Sequence, residues 1–498
     1  SEMCIRDRPR NIIMCGIVGV VSTDQCNQQI YDSLLLLQHR GQDSTGIATM
    51  DGSVFHINKS KGQVREAYRT RDMRALIGRS GLGHVRYATK GAAHREEEAQ
   101  PFYVNAPYGI ILVHNGNLTN TRELEKELFK VDKRHTNTSS DTEMLLNVLA
   151  TELNSEVKGK DVDPDDLFNA VKRLHSRVEG SYASIALIAG HGLLAFRDPF
   201  GIRPLVIGKR VKENNKPEWV IASESLVIEN NDYVIVRDVE PGEAIFITSN
   251  GEFYSKQCSD NPQLFPCSFE YVYLARPDSI MNGISVYESR LRMGDLLAET
   301  IKKQISLGDI DVVMPIPDSS RPAAMQVARQ LGIEYREGFF KNRYVGRTFI
   351  MPGQSLRKRS VRQKLNAMST EFKNKNVLIV DDSVVRGTTS QQIVQMARSA
   401  GANKVTFTSA APPIRYPHVY GINMPSRNEL IAYNRDINQI ENNFLIDKMI
   451  YQEVNNLTQA ITQNSKIKEL DLSCFTGKYI TGTVTDEYLT WVEETSLS

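Results

Sequence analysis

The chain has 498 residues, enough for about two to four domains with substantial cores. Its 60 lysines and arginines nearly balance 59 aspartates and glutamates, so composition supplies no basic field of the kind that binds nucleic acid. No apolar run in the sequence reaches the roughly 18 residues that a membrane span needs.

The start of the chain is its first informative segment, because Cys15 directly follows Met14. Residues 1–13 begin with Ser and lack the apolar core of a secretory signal, so we interpret residues 1–14 as a non-native or removed extension. Removal of Met14 makes Cys15 the first residue, with its thiol beside an α-amine that titrates near pH ~8 and can act as its base. The heptapeptide around Cys15 equally fits a small buried cysteine that opens a strand.

Six scattered cysteines without a C-x-x-C pair favour a reducing cytoplasm and argue against a cysteine-ligated metal or iron–sulfur site. The first half of the chain is predicted to mix strands with a few helices. Strands are predicted over residues 17–21, 83–87, 109–114, 184–189 and 205–208. Helices are predicted over residues 29–38, 119–128 and 141–153.

The second half of the chain changes character. Largely apolar strands are predicted over residues 311–317, 376–380 and 404–409, and the first two lead through polar loops into helices. Apolar runs that do not alternate predict a parallel sheet that is covered on both faces. Because composition shifts between residues 242 and 271, we predict domains over residues 15–248 and 262–455, followed by a tail over residues 456–498.

Polar segments in the first half carry the groups that a thiolate attack on a carboxamide needs. Arg86 can clamp an α-carboxylate, Asn115 with the Gly116 N–H can stabilise an oxyanion, and Asp141 can accept from an α-ammonium. Thr89 belongs to the same segment as Arg86. Each group also has a plain alternative: a surface strand charge for Arg86, a hairpin turn for Asn115-Gly116, and a helix N-cap for Asp141.

The most specific pattern is residues 377–389, with the sequence VLIVDDSVVRGTT. Four apolar residues end in the acidic pair Asp381 and Asp382, and a loop with Gly387 then opens a helix predicted over residues 390–400. The N–H groups at that helix start suit a phosphate, whereas the acids suit sugar hydroxyls or a magnesium ion. An ordinary strand–loop–helix unit with an Asp cap is the alternative.

This pattern resembles the 5-phosphoribosyl-1-pyrophosphate (PRPP) signature of the type I phosphoribosyltransferases. The resemblance implies that Asp381 and Asp382 hold the ribose hydroxyls and the metal shell, with Ser319 as a metal-associated hydroxyl from the segment over residues 315–320. Residues 341–354 resemble a mobile lid over the diphosphate, although alone they also fit a solvated basic loop. The PRPP-binding residues implied are Asp381, Asp382, Ser383, Arg386, Gly387, Thr388, Thr389, Lys341 and Tyr344.

The first-half segments, together with residues 37–44, resemble the class II glutamine amidotransferases, which use an N-terminal nucleophile. The resemblance implies a four-layer αββα sandwich with two antiparallel sheets between helical layers. It also implies that Cys15, Asn115 and Gly116 are catalytic. Glutamine would be held by Arg86, Thr89 and Asp141. We expect no catalytic role for His39, His84 or His114, because the α-amine is the base in this class.

The two halves together resemble the amidophosphoribosyltransferases, with further similarity at residues 197–204 and 269–273. The resemblance implies conversion of glutamine, PRPP and water to 5-phosphoribosylamine, glutamate and pyrophosphate, the first committed step of de novo purine (IMP) biosynthesis. It also implies Mg²⁺, feedback inhibition by purine nucleotides, a homotetramer, and no nucleic-acid or membrane partner. Tyr87 and Ile350 are candidate walls of a dry path for ammonia between the two sites.

Some members of this family carry a propeptide and an iron–sulfur cluster whose ligands include a C-terminal C-x-x-C. Cys474 stands alone in this sequence, so we expect no cluster. A glucosamine-type synthase lacks the acidic pair before a phosphate loop, and a PRPP-sensing regulator has no reason to keep Cys15, Arg86 and Asp141. An inactive paralogue with an amide-blocked Cys15 remains a third alternative.

Overall fold

A computed structural model of the chain describes residues 15–86, 98–157, 159, 162–212, 216–341, 365–422, 424 and 426–497. The described part divides into an antiparallel first half and a second half built on a parallel sheet. Within these ranges, no helix combines the length and apolar character that crossing a membrane requires.

The first half mixes strands with helices. Its described strands are β1 (Gly16–Val21), β2 (Ser44–Asp51), β3 (Val54–Lys61), β4 (Ser80–Arg86), β5 (Phe102–Val104), β6 (Ile110–Leu118), β7 (Gly180–Ile188), β8 (Gly192–Arg197), β9 (Val206–Val211), β10 (Pro217–Ala222), β11 (Val234–Asp238), β12 (Glu243–Thr248) and β13 (Phe253–Gln257). Its described helices are α1 (Asn27–Leu36), α2 (Val64–Ala67), α3 (Thr70–Ala75), α4 (Thr121–Lys130), α5 (Asp141–Glu156), α6 (Pro164–Arg177) and α7 (Ser225–Asn230).

These strands form two antiparallel sheets that pack face to face. The first sheet has the order β11-β9-β10-β1-β4-β2-β3, and the second has the order β13-β12-β8-β7-β6-β5. Ile17 of β1 and Val113 of β6 lie in the apolar layer between the sheets. Val18 on the other face of β1 packs with Ile30 and Leu34 of α1, which explains why this strand is apolar on both faces.

The outer face of the second sheet is covered by α4, α5 and α6. Leu145 and Leu149 of α5 belong to one apolar cluster with Ile110 and Leu112 of β6. The layers are therefore helix, sheet, sheet and helix. The four-layer αββα sandwich expected for the first half is confirmed.

The second half contains longer helices and short strands. Its described strands are β14 (Ile280–Met281), β15 (Ile284–Ser285), β16 (Val312–Pro315), β17 (Glu334–Tyr335), β18 (Phe339–Lys341), β19 (Leu365–Ala367), β20 (Asn376–Asp381), β21 (Lys404–Ser409) and β22 (Lys448–Tyr451). Its described helices are α8 (Val286–Gln304), α9 (Arg321–Leu331), α10 (Ser369–Phe372), α11 (Thr388–Ser399), α12 (Ile437–Phe444), α13 (Val454–Thr462), α14 (Ser473–Thr476) and α15 (Asp486–Leu497).

The predicted parallel sheet is confirmed, with β20 at its centre and the order β17-β16-β20-β21-β22. Leu378 and Val380 of β20 belong to the apolar cluster on one face. Val377 and Ile379 belong to the cluster on the other. Burial on both faces is the reason that this strand reads as a continuous apolar run.

The junction between the halves and the C-terminal segment both pack closely onto the rest of the chain. Beyond residue 248, β13 still pairs with β12 and extends the second sheet to Gln257. The Thr119 hydroxyl of the first half lies 3.3 Å from that of Thr483 near the C-terminus. The predicted domain limits remain predictions.

Candidate functional sites

Cys15 directly precedes β1, the central strand of the first sheet, and is 8% exposed. β1 pairs antiparallel with β4, with Gly16 opposite Val85. Continuing this register by one residue places Cys15 opposite Arg86. The candidate nucleophile and the predicted carboxylate clamp therefore lie side by side on neighbouring strands.

Arg86 is buried at the end of β4, so the alternative of a surface strand charge is wrong. Its Nη2 donates to Glu98 Oε2 at 2.7 Å. The segment over residues 37–44 lies against it, because a Cβ on Gly41 would come within 2.5 Å of the Arg86 backbone nitrogen. Glu98 was not singled out in the sequence because nothing near it in the chain indicates a partner 12 residues away.

Asn115 and Gly116 lie within β6, so the hairpin-turn alternative is wrong. Asn115 is fully buried, and its Nδ2 donates to Ser223 Oγ at 3.5 Å. The same hydroxyl accepts from the Ile17 N–H at 3.0 Å and so joins the oxyanion candidate to β1. Asn115 Oδ1 has no hydrogen-bond partner among the described residues. A buried polar atom in this state is one that a bound ligand can satisfy.

Gly116 occupies a position that no larger residue fits. A Cβ at Gly116 would lie 2.0 Å from the Ser181 carbonyl oxygen, and its φ is +156°. Gly421 of the second half packs directly on it, since a Cβ at Gly421 would lie 2.8 Å from the Gly116 Cα. The strand carrying the oxyanion candidates is therefore in contact with the second half.

Asp141 is the first residue of α5, and its Oδ2 accepts from the Leu118 N–H at 3.2 Å. This bond ties the end of β6 to the helix. Its Oδ1 lies 3.9 Å from His114 Nδ1. The carboxylate therefore lies beside β6, the strand that carries Asn115. Its bond to Leu118 also holds the start of α5 against that strand.

Three histidines lie near this site, and two of them are buried with lowered pKa values. Burial lowers the pKa of His114, and burial together with the charge of Arg86 lowers the pKa of His84 well below its usual range. A histidine with such a low pKa is a poor base near neutral pH. His39 Nε2 lies 2.6 Å from the buried carboxylate of Glu224.

The acidic pair lies at the carboxyl end of β20. Asp381 ends the strand, and Asp382 accepts from the Ser319 hydroxyl in the loop after β16 and from Ser383 Oγ at 2.8 Å. β16 and β20 are parallel neighbours, with Pro315 beside Val380, so both loops leave the same edge of the sheet. This edge is where parallel sheets bind ligands.

Two features of the structure explain why the N-cap of α11 is a glycine, Gly387. Its φ is +78°, and a Cβ there would lie 2.5 Å from the ring of Phe444. α11 begins at Thr388, two residues earlier than predicted, so Thr388 and Thr389 form its exposed first turn. Arg386 in the same loop contacts Glu429, with Nε 2.9 Å from Oε2.

Lys341 at the end of β18 is the described residue of the predicted lid. Its Nζ donates to Asp318 Oδ2 at 3.1 Å, which brings it to the loop that carries Ser319. Thr89, Tyr344, Tyr87, Ile350 and the remainder of the lid, together with residues 1–14, lie outside the described residues.

Comparison with known proteins finds relatives of both halves of the chain. Family models for a glutamine amidotransferase domain and a phosphoribosyl transferase domain match residues 84–230 and 286–421. The amidophosphoribosyltransferase of Pasteurella multocida is 56% identical over 484 residues, which cover 97% of this chain and 95% of that protein. The Escherichia coli amidophosphoribosyltransferase is 52% identical over 482 residues, covering 96% and 95%.

A solved structure of glutamine PRPP amidotransferase from B. subtilis, complexed with ADP and GMP, is 36% identical to this chain. The superposition has a TM-score of 0.83 and covers 95% of this chain and 98% of that one.

The fold and the two polar clusters define a glutamine amidotransferase joined to a phosphoribosyltransferase within one chain. The relatives described above are similar enough over nearly their whole length to assign the chain to one family within this class. The chain belongs to the amidophosphoribosyltransferase family. The activity expected from the sequence, glutamine-dependent amidophosphoribosyl transfer, is confirmed.

Proposed function

We propose that the first half releases ammonia from glutamine and that the second half transfers a phosphoribosyl group to that ammonia. The balance is glutamine, PRPP and water to 5-phosphoribosylamine, glutamate and pyrophosphate, the first committed step of de novo purine biosynthesis. Two contacts together support this assignment. Cys15 lies beside Arg86 on neighbouring strands in one half, and Ser319 donates to Asp382 in the other.

In the first half, Cys15 attacks the carboxamide carbon of glutamine while its α-amine takes the thiol proton. Asn115 and the Gly116 N–H stabilise the oxyanion. Transfer of a proton to the leaving nitrogen releases ammonia and leaves a thioester, which water hydrolyses to glutamate. Arg86, oriented by Glu98, holds the α-carboxylate, and Asp141 with Thr89 holds the amine end of the substrate.

In the second half, Asp381 and Asp382 bind the ribose hydroxyls. The 5′-phosphate sits on the loop over residues 383–389, where the α11 N-terminus supplies N–H groups and a favourable dipole. The groups assigned to it are Ser383, Arg386, Gly387, Thr388 and Thr389. Lys341 and Tyr344 hold the diphosphate, and ammonia attacks C1 as that group departs.

The donors at the acidic pair suit Mg²⁺, because carboxylate and hydroxyl oxygens are the ligands it prefers. Burial and the neighbouring Asp382 charge raise the pKa of Asp381 well above its usual range, which a bound cation would relieve. We assign the Mg²⁺ ligands to Ser319, Asp381 and Asp382. When bound, the ion neutralises charge on the departing pyrophosphate.

Direct contact between the halves supports transfer of ammonia within the chain. Asn117 Nδ2, just past the oxyanion candidates on β6, donates to the Val419 carbonyl of the second half at 2.8 Å. Ammonia is protonated in water at neutral pH and then cannot attack, so a path shielded from solvent is required. Tyr87 and Ile350 remain our candidates for its walls.

Four further properties belong to this proposal. We expect inhibition by purine nucleotides and assembly into a homotetramer. We also expect a cytoplasmic location, since a catalytic thiol must stay reduced. No iron–sulfur cluster is expected, because the C-x-x-C motif is missing. His418 Nε2 is 3.3 Å from Cys267 Sγ and 3.0 Å from Asp471 Oδ2, and Cys474 lies three residues after Asp471 in the chain. Stoichiometric iron and sulfide in purified protein would contradict this expectation.

Parallel measurement of glutamate and pyrophosphate release tests the assignment on a chain that begins at Cys15. We expect glutamine and PRPP to be consumed in equal amounts, and ammonia at alkaline pH to replace glutamine. A chain that binds PRPP normally and releases no glutamate would contradict the proposal.

A further inference from the structure

Ser223 follows the last residue of β10 and is 1% exposed. Its backbone N–H donates to the Ile17 carbonyl at 3.1 Å, which continues the pairing of β10 with β1 by one residue. In a regular antiparallel pair the Ile17 N–H would return to the Ser223 carbonyl. It donates instead to the Ser223 hydroxyl, at 3.0 Å. The side chain therefore replaces a backbone acceptor at Ile17, two residues after Cys15.

The same hydroxyl reaches the second sheet. Asn115 on β6 donates to it through Nδ2 at 3.5 Å, and both side chains are buried. β1 and β10 belong to the first sheet, whereas β6 belongs to the second. A serine oxygen has two lone pairs, so it can accept from both N–H groups at once. One atom therefore joins the strand of the nucleophile to the side chain that is assigned to the oxyanion.

The orientation of the Asn115 amide decides whether it can bind an oxyanion. Its Nδ2 carries two hydrogens, so with one directed at Ser223 the other is left for the oxygen that becomes negative when Cys15 attacks. A rotation of the amide by about 180° would exchange Nδ2 with Oδ1 and would put an acceptor where a donor is needed. The distance of 3.5 Å is long for a hydrogen bond, and catalytic contacts commonly shorten in the substrate complex.

The position of Ser223 is itself fixed by the next residue, Glu224, which is fully buried. The Glu224 carboxylate accepts from the Arg276 N–H at 3.0 Å and from the Ser279 hydroxyl at 2.6 Å. His39 Nε2 lies 2.6 Å from the same carboxylate. The Ser223 hydroxyl is therefore carried by a restrained segment, as a group that positions another side chain must be.

We propose that Ser223 is a positioning residue for the glutaminase reaction, whose hydroxyl holds the Asn115 amide with an N–H directed at the developing oxyanion. The proposal rests on the proposed function, in which Asn115 and the Gly116 N–H bind that oxygen. Ser223 acts only through Asn115 and is not a ligand of glutamine. Oxyanion donors stabilise the transition state because they are in place before the charge develops. A group displaced by about 1 Å can cost about 10²-fold in rate.

A structural role alone, in which Ser223 only satisfies the Ile17 N–H, makes a different prediction. Loss of that contact would disturb β1 and would slow every reaction of the Cys15 thiol. Loss of a positioning contact slows only the reactions that pass through an oxyanion. In alkylation of Cys15 by iodoacetamide, an S–C bond forms at a saturated carbon as the C–I bond breaks and iodide leaves. Because no oxyanion forms, alkylation separates the two roles.

The experiment uses the full chain from Cys15 with saturating PRPP and Mg²⁺. It measures glutamate release, ammonia-dependent synthesis and the rate of Cys15 alkylation by peptide mass. Ser223→Ala should lower kcat for glutamine by about 10- to 100-fold and change KM by less than about threefold, because Arg86 and Asp141 still hold the substrate. Alkylation should stay within about twofold of the parental rate, and ammonia-dependent synthesis should be retained.

A double-variant cycle tests whether Ser223 acts through Asn115. Asn115→Ala should lower kcat by about 10²- to 10³-fold. Adding Ser223→Ala to Asn115→Ala should then lower kcat by less than about twofold further, whereas independent effects would multiply. Ser225→Ala is the matched control and should keep the parental kcat. The Ser225 hydroxyl is also fully buried and accepts from a backbone N–H, that of Ile280, at 2.8 Å.

A parental kcat in Ser223→Ala, or multiplied effects in the double variant, would overturn the inference. If Ser223→Ala loses alkylation together with turnover, Ser223→Thr decides, because it keeps the hydroxyl. A kcat near the parental value in Ser223→Thr supports the inference, and one as low as that of Asn115→Ala overturns it. Failure of the proposed function gives different results: the parent releases no glutamate, or Asn115→Ala turns glutamine over at the parental rate.

Discussion

The Ser319 hydroxyl donates to the Asp382 carboxylate and joins the loops that follow two neighbouring parallel strands, β16 and β20. Asp381 Oδ1 accepts from the Asp382 N–H at 2.9 Å, so the two acids and the hydroxyl converge at one edge of the sheet. Adjacent carboxylates disfavour each other's ionised form, and a divalent cation removes that conflict. The arrangement therefore favours a cation-dependent sugar phosphate as ligand.

Replacing Asp382 should uncouple the two activities. Asp382→Asn removes one negative charge from the proposed metal and ribose site, and we expect ammonia-dependent synthesis to fall by about 10²-fold or more. Glutamate release without PRPP should change by less than about threefold, because the glutamine site is in the other half. Asp447→Asn is the matched control, since Asp447 pairs with Arg398 at the surface of the same half. Equal synthesis by Asp382→Asn and Asp447→Asn would contradict the assignment.

Cys15→Ala should abolish glutamine-dependent synthesis, by about 10³-fold or more, because no other group can form the thioester. Ammonia-dependent synthesis should survive, since that reaction uses the second site. Cys26→Ala is the control: burial raises the pKa of the Cys26 thiol to about 12, and its side chain packs under β1 and β4. Loss of both activities in Cys15→Ala would show that the sites are not separate.

Gly387→Ala should weaken both stability and PRPP binding. The φ of +78° strains any L-residue, and the added methyl would meet the Phe444 ring at 2.5 Å, so we expect a loss of about 2–4 kcal/mol in unfolding free energy. Gly332→Ala is matched in φ, at +66°, but its Cβ would meet no atom within 4 Å. That control should lose about 1 kcal/mol and keep its KM for PRPP. Equal losses would remove the packing explanation.

His175 should make stability depend on pH. Burial lowers its pKa to about 4, and the imidazole is held neutral between the Tyr182 hydroxyl, 2.8 Å from Nδ1, and the Gly242 carbonyl, 3.2 Å from Nε2. Between pH ~6.5 and pH ~4 the unfolded chain binds a proton that the folded chain does not, so unfolding free energy falls as pH falls. This residue contributes a slope of about 1.4 kcal/mol per pH unit.

Denaturant titrations at several pH values measure that slope. His175→Gln should reduce it by about one proton, whereas His135→Gln at an exposed position should leave it as in the parent. An unchanged slope in His175→Gln would contradict a neutral buried imidazole.

The phosphoribosyl site was largely predictable because its groups are contiguous. Asp381, Asp382 and Gly387 fall within one strand–loop–helix unit. The apolar run predicts the strand, the acids mark its end, and the glycine marks the start of the helix, so neighbouring residues are enough to predict the unit. Ser319 was implied by the resemblance to the phosphoribosyltransferases, and it contacts Asp382 because neighbouring parallel strands end at a common edge. The start of α11 was misplaced by two residues, since Thr388 and Thr389 have weak helix propensity, and β16 ends at Pro315, two residues earlier than predicted.

The glutaminase site was predictable only in part. β2, with the sequence STGIATMD, is nearly all buried but shows neither alternation nor an apolar run, so no strand was predicted there. The Arg86–Glu98 pair and the Asn115–Ser223 contact depend on tertiary packing that no local pattern encodes.

Glutamine turnover by chains of defined N-terminus tests the central claim most directly. One chain begins at Cys15, with its α-amine confirmed by intact mass, and the other retains residues 1–14. We predict that the first releases glutamate in the presence of PRPP and forms a thioester at Cys15. The second should bind PRPP equally well and release glutamate at least about 10²-fold more slowly, because its Cys15 nitrogen is an amide. Equal turnover by the two chains would contradict an N-terminal nucleophile.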